Sequence, residues 1–435
     1  MSHTLPSKPK KTICILVLGD IGRSPRMQYH ALSFAREGFV VDLVGYAGSE
    51  PLRDLRDNPA VKIHYLRSSN VQNMPKLLGY LVKTLTQTSV LLWKFFVDID
   101  CSYVLVQNPP AVPTLLICWM YCRFAGARFV VDWHNYAFTI MSLGLGSKHV
   151  LVTITRFFES FFGGRADKNF CVTKAMRDDL KSKWGINAEV LYDRPPMEFK
   201  PIDLEEKHAL MRKLGKIYEA FGDGNDSSRF TECLESGEIR LRTDRPGFIV
   251  SSTSWTDDED FSILFNALHG KQLSGGNYEI KDQREFSHFS EYEIACESGA
   301  YNLPDLVCAV TGKGPLKEFW NAIVQRKKWR HVKIVTPWLE NEDYPKLLGK
   351  SSRHVRMWAS GFLNELVRHE ENSLVFSNEK ELAQQLKTWF HNFPNNDEQR
   401  EIKDKFQREL TKFRELRWRP KHRNIVSQVF SSFLL

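Results

Sequence analysis

The sequence has 435 residues, of which 42% are hydrophobic and 26% charged; this globular composition excludes a mostly disordered or fibrous chain. The length predicts two domains of about 200 residues, each large enough for a complete hydrophobic core. The net charge of +8 is unevenly distributed: residues 1–200 carry 25 basic and 16 acidic side chains, and the remaining 235 residues carry 35 and 36. The N-terminal half is therefore expected to face an anionic partner: nucleic acid, a phosphorylated ligand or a membrane surface.

The eight cysteines are scattered and include no C-x-x-C pair, which argues against a zinc ribbon or a disulfide framework. No N-terminal transmembrane anchor is expected, because residues 1–11 are polar and basic and the apolar run after them is short. The uncharged stretch 103–122 is interrupted by Pro109, Pro110 and Pro113. It is therefore predicted to form a strand, a loop and an apolar helix rather than a membrane span.

Strands and helices alternate through the first 200 residues. The apolar run 12–18 has the length of a parallel strand that is covered on both faces. Ser24 and Pro25 are typical first residues of a helix, which Gly38 should end. Further strands are predicted at 39–44, 61–66, 103–107, 128–132, 169–172 and 189–191, and helices at 76–96, 113–124 and 149–162. This alternation predicts a doubly wound, parallel α/β sheet in an N-terminal domain of residues 1–200.

The second half repeats the alternation less completely. Residues 201–246 are polar and predict a linker or insertion. Residues 247–395 predict a second α/β domain with a polar insertion at 269–302, and residues 396–435 predict C-terminal helices. Within this domain, strands are expected at 248–252, 306–310, 331–336 and 374–376, and helices at 258–268, 314–325, 342–348 and from 379 onward. The alternation fails around 350–364, where a complete domain would need at least one more strand and helix.

The segment G-D-I-G-R-S-P-R (19–26) follows the first strand, at the edge where open α/β sheets bind ligands. Gly19 and Gly22 would let a ligand approach the backbone, and Arg23 and Arg26 would attract an anion to the start of the helix. A simple strand–helix turn remains the alternative, because the complete dinucleotide fingerprint is absent.

A second polar segment, D-W-H-N-Y (132–136), is predicted to reach the same edge of the sheet. The carboxylate of Asp132 and the imidazole of His134, with the amide of Asn135 beside them, could position a hydroxyl group and remove its proton. The alternative is a loop whose polar residues cap the next segment.

Two segments of the second domain could hold a diphosphate. Hydroxyl groups and free amides at the start of a helix in 251–261 suit such a group, although a capping box of Thr256 and Glu259 explains the same residues. The segment T-G-K-G-P (311–315) also links a strand to a helix, and Lys313 could reach a phosphate. It is not a Walker loop, so a generic turn stays open.

Helices 76–96 and 113–124 are rich in aromatic residues and are flanked by Lys83, Lys94 and Arg123. Core packing explains most of these residues, and a membrane-contact face is the alternative. No nucleic-acid-binding module is recognisable, so nucleic acid is not expected as a partner.

Eight strings together match one family. They are L-G-D-I-G-R-S-P-R-M-Q-Y-H-A (18–31), Q-N-P-P (107–110), D-W-H-N-Y (132–136), C-V-T-K-A-M-R (171–177), S-S-T-S-W-T-D-D-E-D-F-S-I-L (251–264), T-G-K-G-P-L (311–316), T-P-W-L-E-N-E-D-Y-P (336–345) and E-L-V-R-H-E-E-N-S-L-V-F (365–376). On these strings the chain resembles the chitobiosyldiphosphodolichol β-mannosyltransferase family from about residue 12 to residue 395.

The resemblance implies an α/β, GT-B glycosyltransferase with two Rossmann-like domains facing a cleft. It implies GDP-mannose as donor and dolichyl-diphosphate chitobiose as acceptor, with inverting β-1,4 transfer on the cytosolic face of the endoplasmic reticulum. Attachment to the membrane surface would be peripheral or monotopic, and other dolichol-pathway mannosyltransferases are candidate partners. Neither a metal nor another cofactor is expected, because helix dipoles and basic residues would stabilise the departing diphosphate.

For this reaction, Asp20 and His134 are the candidates for general base or acceptor positioning, because both are predicted to lie at the edge of the sheet. Contacts to the acceptor or its diphosphate are expected from Gly19, Gly22, Arg23, Asp132 and Asn135. Contacts to the donor are expected from Ser252, Thr253, Gly312, Lys313 and Glu365.

The sequence departs from the family between 349 and 365. There the family has a longer stretch, with a Gly-Leu-Asp-Leu-Pro loop that helps form the nucleotide-sugar pocket, and here residues 350–364 replace it. The second domain is thus expected to be incomplete, as in a splice form that lacks an exon. Two hypotheses stay open: a mannosyltransferase, and a catalytically impaired isoform that only binds lipid or partners. An unrelated nucleotide-sugar enzyme is a weaker third.

Overall fold

The computed structural model describes residues 11–67, 76–193, 201–224, 227–253, 255–256, 260–269, 291–299, 301–327, 329–340, 342–348 and 367–415. The described chain divides into two compact units, one before residue 195 and the other from residue 195 to residue 415. The predicted deletion at 350–364 lies outside the described residues, as do most of the insertion 269–302 and residues 416–435.

The first unit is built on a seven-stranded, fully parallel sheet with the strand order β3-β2-β1-β4-β5-β6-β7. The strands are β1 (Thr12–Asp20), β2 (Val40–Tyr46), β3 (Val61–Leu66), β4 (Tyr103–Asn108), β5 (Arg128–Trp133), β6 (Lys168–Cys171) and β7 (Ala188–Val190). All seven strands predicted for this half are present. The order reverses between β1 and β4, and ligands of open α/β sheets bind at such a switch point.

Helices cover both faces of this sheet. They are α1 (Pro25–Arg36), α2 (Arg53–Arg56), α3 (Lys76–Trp93), α4 (Thr114–Ala125), α5 (Ala137–Leu145), α6 (Val150–Gly163) and α7 (Lys174–Trp184). Met27 and Leu55, from α1 and α2, join the apolar core on one face. Leu115, Val152 and Leu180, from α4, α6 and α7, join the core on the other face. Continuous apolar strands are thus buried on both sides, as their composition predicts.

The second unit has a three-stranded parallel sheet in the order β10-β11-β12 and a separate antiparallel pair, β8 and β9. Its strands are β8 (Thr231–Cys233), β9 (Ile239–Leu241), β10 (Gly247–Ser252), β11 (Leu306–Thr311) and β12 (Val332–Val335). Its helices are α8 (Leu204–Gly215), α9 (Ser262–His269), α10 (Tyr292–Ser298), α11 (Lys317–Arg326), α12 (Asp343–Leu347), α13 (Glu379–Phe390) and α14 (Asp397–Glu415).

The polar segment 201–246, predicted to be a linker or an insertion, forms α8, β8 and β9. Asp203 and Glu206 form a capping box at the start of α8. Leu210 and Met211 on this helix then pack with Phe248 and Val250 of β10 in one apolar core. The sparse apolar residues of the segment lie on the one face of α8 that is buried, so a composition average hides them.

The prediction of a strand at 374–376 is wrong. These three residues form no ladder; the nearest pairing is an isolated bridge between His369 and Ser373. Within the described part of the chain, no helix is both long and apolar enough to cross a lipid bilayer.

Candidate functional site

A buried carboxylate lies near the carboxyl end of β5 in the first unit. Asp132 is fully buried, and the guanidinium of Arg26 on α1 donates two hydrogen bonds to it, from Nε at 2.7 Å and from Nη2 at 2.8 Å. Burial acts to raise the pKa of Asp132, but the charge of Arg26 and the hydrogen bonds from Arg26 and His134 hold that pKa well below its usual range. Asp132 is therefore ionised and can only accept hydrogen bonds.

Two imidazoles share this carboxylate. The Nε2 atoms of His30 and His134 each lie 3.1 Å from Oδ2 of Asp132. Because Asp132 only accepts, each Nε2 carries a proton and donates it, which leaves Nδ1 of a neutral ring as the proton acceptor. His30 is buried, and this burial lowers its pKa. His134 differs because 23% of its side chain is exposed.

The backbone around His134 is held by the neighbouring strands. The N–H of His134 donates to the carbonyl of Asn108, at the end of β4, over 2.9 Å. On the other side, Nε1 of Trp133 donates to Oδ1 of Asn169 on β6 over 2.8 Å. The imidazole is thus fixed at the edge of the sheet, with one nitrogen bonded inward and the other able to accept a proton.

A second buried carboxylate anchors the residues after His134. Glu159 on α6 accepts hydrogen bonds from Nδ2 of Asn108 at 2.6 Å and from the N–H groups of Ala137 at 2.7 Å and Phe138 at 3.1 Å. Burial raises the pKa of Glu159, and these three donors oppose that rise. Glu159 therefore connects the end of β4 to the first turn of α5, three residues after His134.

The loop after β1 contains the other candidate base, Asp20. Its carboxylate forms hydrogen bonds with backbone N–H groups of the protein. Asp20 accepts hydrogen bonds from the N–H groups of Gly22 at 2.9 Å and Ser49 at 2.7 Å. A Cβ on Gly22 would lie 2.2 Å from the carbonyl oxygen of Ser49, so this glycine is needed for a contact within the protein rather than for the approach of a ligand. A Cβ on Gly19 would make ordinary van der Waals contacts, with the nearest atoms 3.9 Å away, and Arg23 is exposed.

Two predicted anion or acceptor contacts require correction. Arg26 is only 4% exposed, and its guanidinium also donates to the carbonyl of Leu191 and to Asp193, so it is not available to an anion. Asp132 cannot touch an acceptor directly while it is enclosed; in this structure it orients His134. Asn135 is exposed beside His134, and its carbonyl accepts from Asn108 over 3.0 Å.

Asp20 and His134 lie at the ends of β1 and β5, with β4 between these strands. The strands β1 and β5 are therefore two strand spacings apart, which is about 10 Å. The prediction that both segments reach the same edge of the sheet agrees with this topology. The two side chains nevertheless belong to separate hydrogen-bonding groups.

In the second unit, the predicted donor residues come together at the ends of β10 and β11. The N–H of Thr253 donates to the carbonyl of Thr311 over 3.0 Å. Gly312 has a φ of +126°, and a Cβ there would lie 1.8 Å from the carbonyl oxygen of Thr253. Only glycine lets the two loops approach this closely. Ser252 is exposed beside them, with its Oγ 2.7 Å from the hydroxyl of Tyr344.

Lys313 extends from the same edge. Its Nζ lies 3.9 Å from the ring centroid of Trp338, over the face of the indole, and both side chains are exposed. This contact keeps the cation at the surface near Gly312. Glu365, the remaining predicted donor residue, lies outside the described residues.

Sequence reasoning missed three residues of the first site, His30, Asn108 and Glu159, and it missed that Arg26 faces inward. Arg26 and His30 are four residues apart on the buried face of α1, where two basic side chains among Met27, Ala31 and Phe34 were a usable signal. Glu159 is the only acidic residue of the apolar helix α6, which is a similar signal.

Known proteins resemble the chain along most of its length. A human protein named chitobiosyldiphosphodolichol beta-mannosyltransferase is 38% identical over 442 residues, which cover 93% of this chain and 89% of that protein. The mouse protein of the same name is 39% identical over 416 residues, covering 87% of this chain and 81% of the relative. The chain belongs to the chitobiosyldiphosphodolichol beta-mannosyltransferase family. The resemblance predicted from the eight strings is confirmed, although no family model matches the chain.

Solved structures agree on the fold of this family member. Sucrose-phosphate synthase from Thermosynechococcus elongatus superposes with a TM-score of 0.61 at 9% identity, covering 97% of this chain and all of that one. At so low an identity the likeness concerns the fold alone, and that fold is GT-B, as predicted. The roles of individual site residues remain predictions.

Proposed function

We propose that the chain transfers a mannosyl group from GDP-mannose to the chitobiose of dolichyl diphosphate and forms a β-1,4 linkage. Membership of the family supports this choice of reaction. The observation that carries the mechanism is the pair formed by His134 and the buried Asp132. It fixes the proton on Nε2 of a partly exposed imidazole and leaves Nδ1 to accept a second proton.

The reaction follows from this arrangement as a single displacement. The 4-hydroxyl oxygen of the acceptor attacks C1 of the mannose and transfers its proton to Nδ1 of His134. The bond between C1 and the phosphate oxygen breaks, and its electron pair leaves with GDP. An α-linked donor then gives a β-linked product. Asp132 stabilises the imidazolium that forms, as the carboxylate of a catalytic triad does.

Residues of the second unit stabilise the departing GDP. Ser252, Thr253 and Gly312 lie where two parallel strands end, which is the edge at which open α/β sheets bind ligands. Lys313 adds a positive charge beside them. The proposed reaction uses these groups and no metal ion.

The place of action is the cytosolic surface of the endoplasmic reticulum membrane, where the acceptor lipid is held. The excess of basic residues in positions 1–200 favours attraction to an anionic leaflet and to the acceptor diphosphate. Other dolichol-pathway mannosyltransferases are the partners we expect there.

The test is transfer by the purified full-length chain from radiolabelled GDP-mannose to a diphosphate-linked chitobiose acceptor, with UDP-glucose as competing donor. We expect a mannosylated product that β-mannosidase digests and α-mannosidase does not. Transfer from UDP-glucose instead, or an α-linked product, would contradict the proposal.

A second candidate, a form that binds lipid or partners without turnover, is favoured by one observation. The described residues of the second unit contain a three-stranded parallel sheet, whereas the first unit has seven strands. Calorimetric titration with GDP separates the two candidates. Saturable binding supports the transferase, and absence of both binding and transfer supports the second candidate.

A further inference from the structure

An exposed apolar surface lies directly after the His134 loop. It is formed by α5 and α6, which pack against each other. Leu143 on α5 is 74% exposed and Val150 on α6 is 69% exposed. Ile140 and Leu145 on α5, and Ile154 and Phe157 on α6, are also exposed. We call these six residues and their two helices the α5–α6 surface.

Except for Leu145, the last residue of α5, these residues lie on one side of each helix. Ile140 and Leu143 are three residues apart, and Val150, Ile154 and Phe157 follow at intervals of four and three. The opposite sides enter the sheet's core through Phe138 and Val152. Each helix therefore has two apolar faces, of which only one is explained by folding.

The charge around the surface has one sign. Residues 137–158 include the basic residues Lys148 and Arg156 and no acidic residue. Both basic side chains are exposed, and the guanidinium of Arg156 lies 4.7 Å from the ring centroid of Phe138. The next acidic side chain, Glu159, is fully buried. Apolar side chains among exposed cations are typical of a helix that lies in the interface of an anionic membrane.

Another exposed apolar group in the same unit has a mixed charge pattern that includes exposed carboxylates. Trp93, Phe96 and Phe124 are exposed near the amino ends of the strands, where α3 and α4 lead into β4 and β5. Asp98 and Asp100 are exposed beside them, together with Arg123 and Arg128, and Asp98 forms an ion pair with Lys94. An anionic leaflet would repel these carboxylates. This group is therefore the internal comparison for the α5–α6 surface.

We propose that the α5–α6 surface docks on an anionic phospholipid leaflet. The choice of a leaflet over a protein partner rests on the proposed function, because the acceptor is a lipid. The position of the surface suits that function. Glu159 joins the first turn of α5 to Asn108, whose carbonyl holds the backbone of His134. The docking helix and the loop of the base are thus parts of one hydrogen-bonded assembly.

The experiment is co-sedimentation of the full-length chain with phosphatidylcholine vesicles, with and without phosphatidylserine, at low and high salt. We expect binding to the anionic vesicles that weakens as salt rises. The double variant Leu143→Glu/Val150→Glu should bind at least about tenfold more weakly. The matched variant Phe124→Glu changes a residue that is 76% exposed and should bind as the wild type does.

Three results would overturn the proposal: equal binding to neutral and anionic vesicles, wild-type binding by the double variant, or equal loss in Phe124→Glu. Circular dichroism establishes that each variant is folded. No substrate is present in the binding assay, so its outcome is independent of mannosyl transfer. Transfer to an acceptor with a short, water-soluble alkyl chain is measured separately, and the double variant should retain it.

Discussion

Asp132 accepts hydrogen bonds from four nitrogen atoms, two of Arg26 and one each of His30 and His134. This number of donors explains how a fully buried carboxylate stays charged, since burying an unpaired charge is strongly unfavourable. It also separates the two histidines by role. His30 is buried in the interior. His134 donates the same kind of hydrogen bond to Asp132 but lies at the edge of the sheet and is partly exposed.

Replacing Asp132 by Asn should lower the free energy of unfolding by about 3–5 kcal/mol, because Arg26 stays buried and keeps only the exposed Asp193 as its counter-charge. Urea unfolding followed by tryptophan fluorescence measures this change. Asp57→Asn, which breaks an exposed pair with Arg53, is the control and should leave the unfolding midpoint unchanged. An Asp132→Asn chain as stable as the wild type would contradict our description of the ion pair.

The sequence was sufficient to place Asp132 and His134, because they are close in the chain and follow one strand. It could not pair Asp132 with Arg26 or His30, which are 106 and 102 residues away. Whether Arg26 faces a ligand or the interior depends on the rotation of α1 against the sheet. The charge of Arg26 favoured the prediction of a contact with an anionic ligand. In the structure, the packing of α1 against the sheet turns Arg26 toward Asp132 instead.

The pKa of His30 predicts a pH dependence of stability. Burial lowers this pKa below 6.5, so on acidification the unfolded chain takes up the proton before the folded chain does. The contribution of neutral His30 to the free energy of unfolding is fully present above pH 6.5. It is lost as the pH falls toward the pKa of His30 in the folded chain. The urea midpoint should therefore fall more between about pH 7.5 and pH 5.5 in the wild type than in His30→Gln. Equal decreases in the two proteins would count against a buried, neutral His30.

Helix α5 shows how one element depends on a residue of another. Its first turn is held by the carboxylate of Glu159 rather than by a capping residue of its own. The apolar sequence of α5 predicts neither this anchor nor the exposed face, because both depend on where α6 lies. The same holds for α8, whose buried face was hidden by a polar composition.

Replacing Glu159 by Ala should release the start of α5. The part-buried N–H of Ala137 and the buried N–H of Phe138 would lose their acceptor, at a cost of about 1–3 kcal/mol for each group. We expect hydrogen exchange at these two amides to become at least about tenfold faster. Glu189→Ala removes a half-exposed partner of Lys168 and serves as the control. Unchanged exchange at Ala137 and Phe138 would show that Glu159 does not hold the helix.

Gly312→Ala should separate the loops that follow β10 and β11, because its Cβ would collide with the carbonyl of Thr253. If these loops bind the diphosphate, affinity for GDP should fall at least about tenfold. Gly237→Ala is the matched control, since Gly237 has a φ of +81° but open space around its Cβ position. Calorimetric titration with GDP gives both affinities, and equal affinities would exclude this edge as the donor site.

Across the whole molecule, charge and sheet size differ between the two units. The basic excess lies in residues 1–200, which also contain His134 and the α5–α6 surface. The second unit is nearly neutral in sequence and has the smaller parallel sheet among the described residues. This division agrees with an acceptor and membrane role for the first unit and a nucleotide-sugar role for the second.

The most direct test of His134 as the base is the rate of mannosyl transfer by the full-length His134→Ala chain at saturating substrates. We expect kcat to fall about 10²–10⁴-fold with little change in the KM for GDP-mannose, because the proton acceptor is lost while the donor site is intact. His64→Ala is the matched control: His64 also bonds an aspartate, Asp42, through Nε2 at 2.7 Å, but on β3. Its kcat should equal that of the wild type. A His134→Ala chain that transfers mannose as fast as His64→Ala would contradict the account.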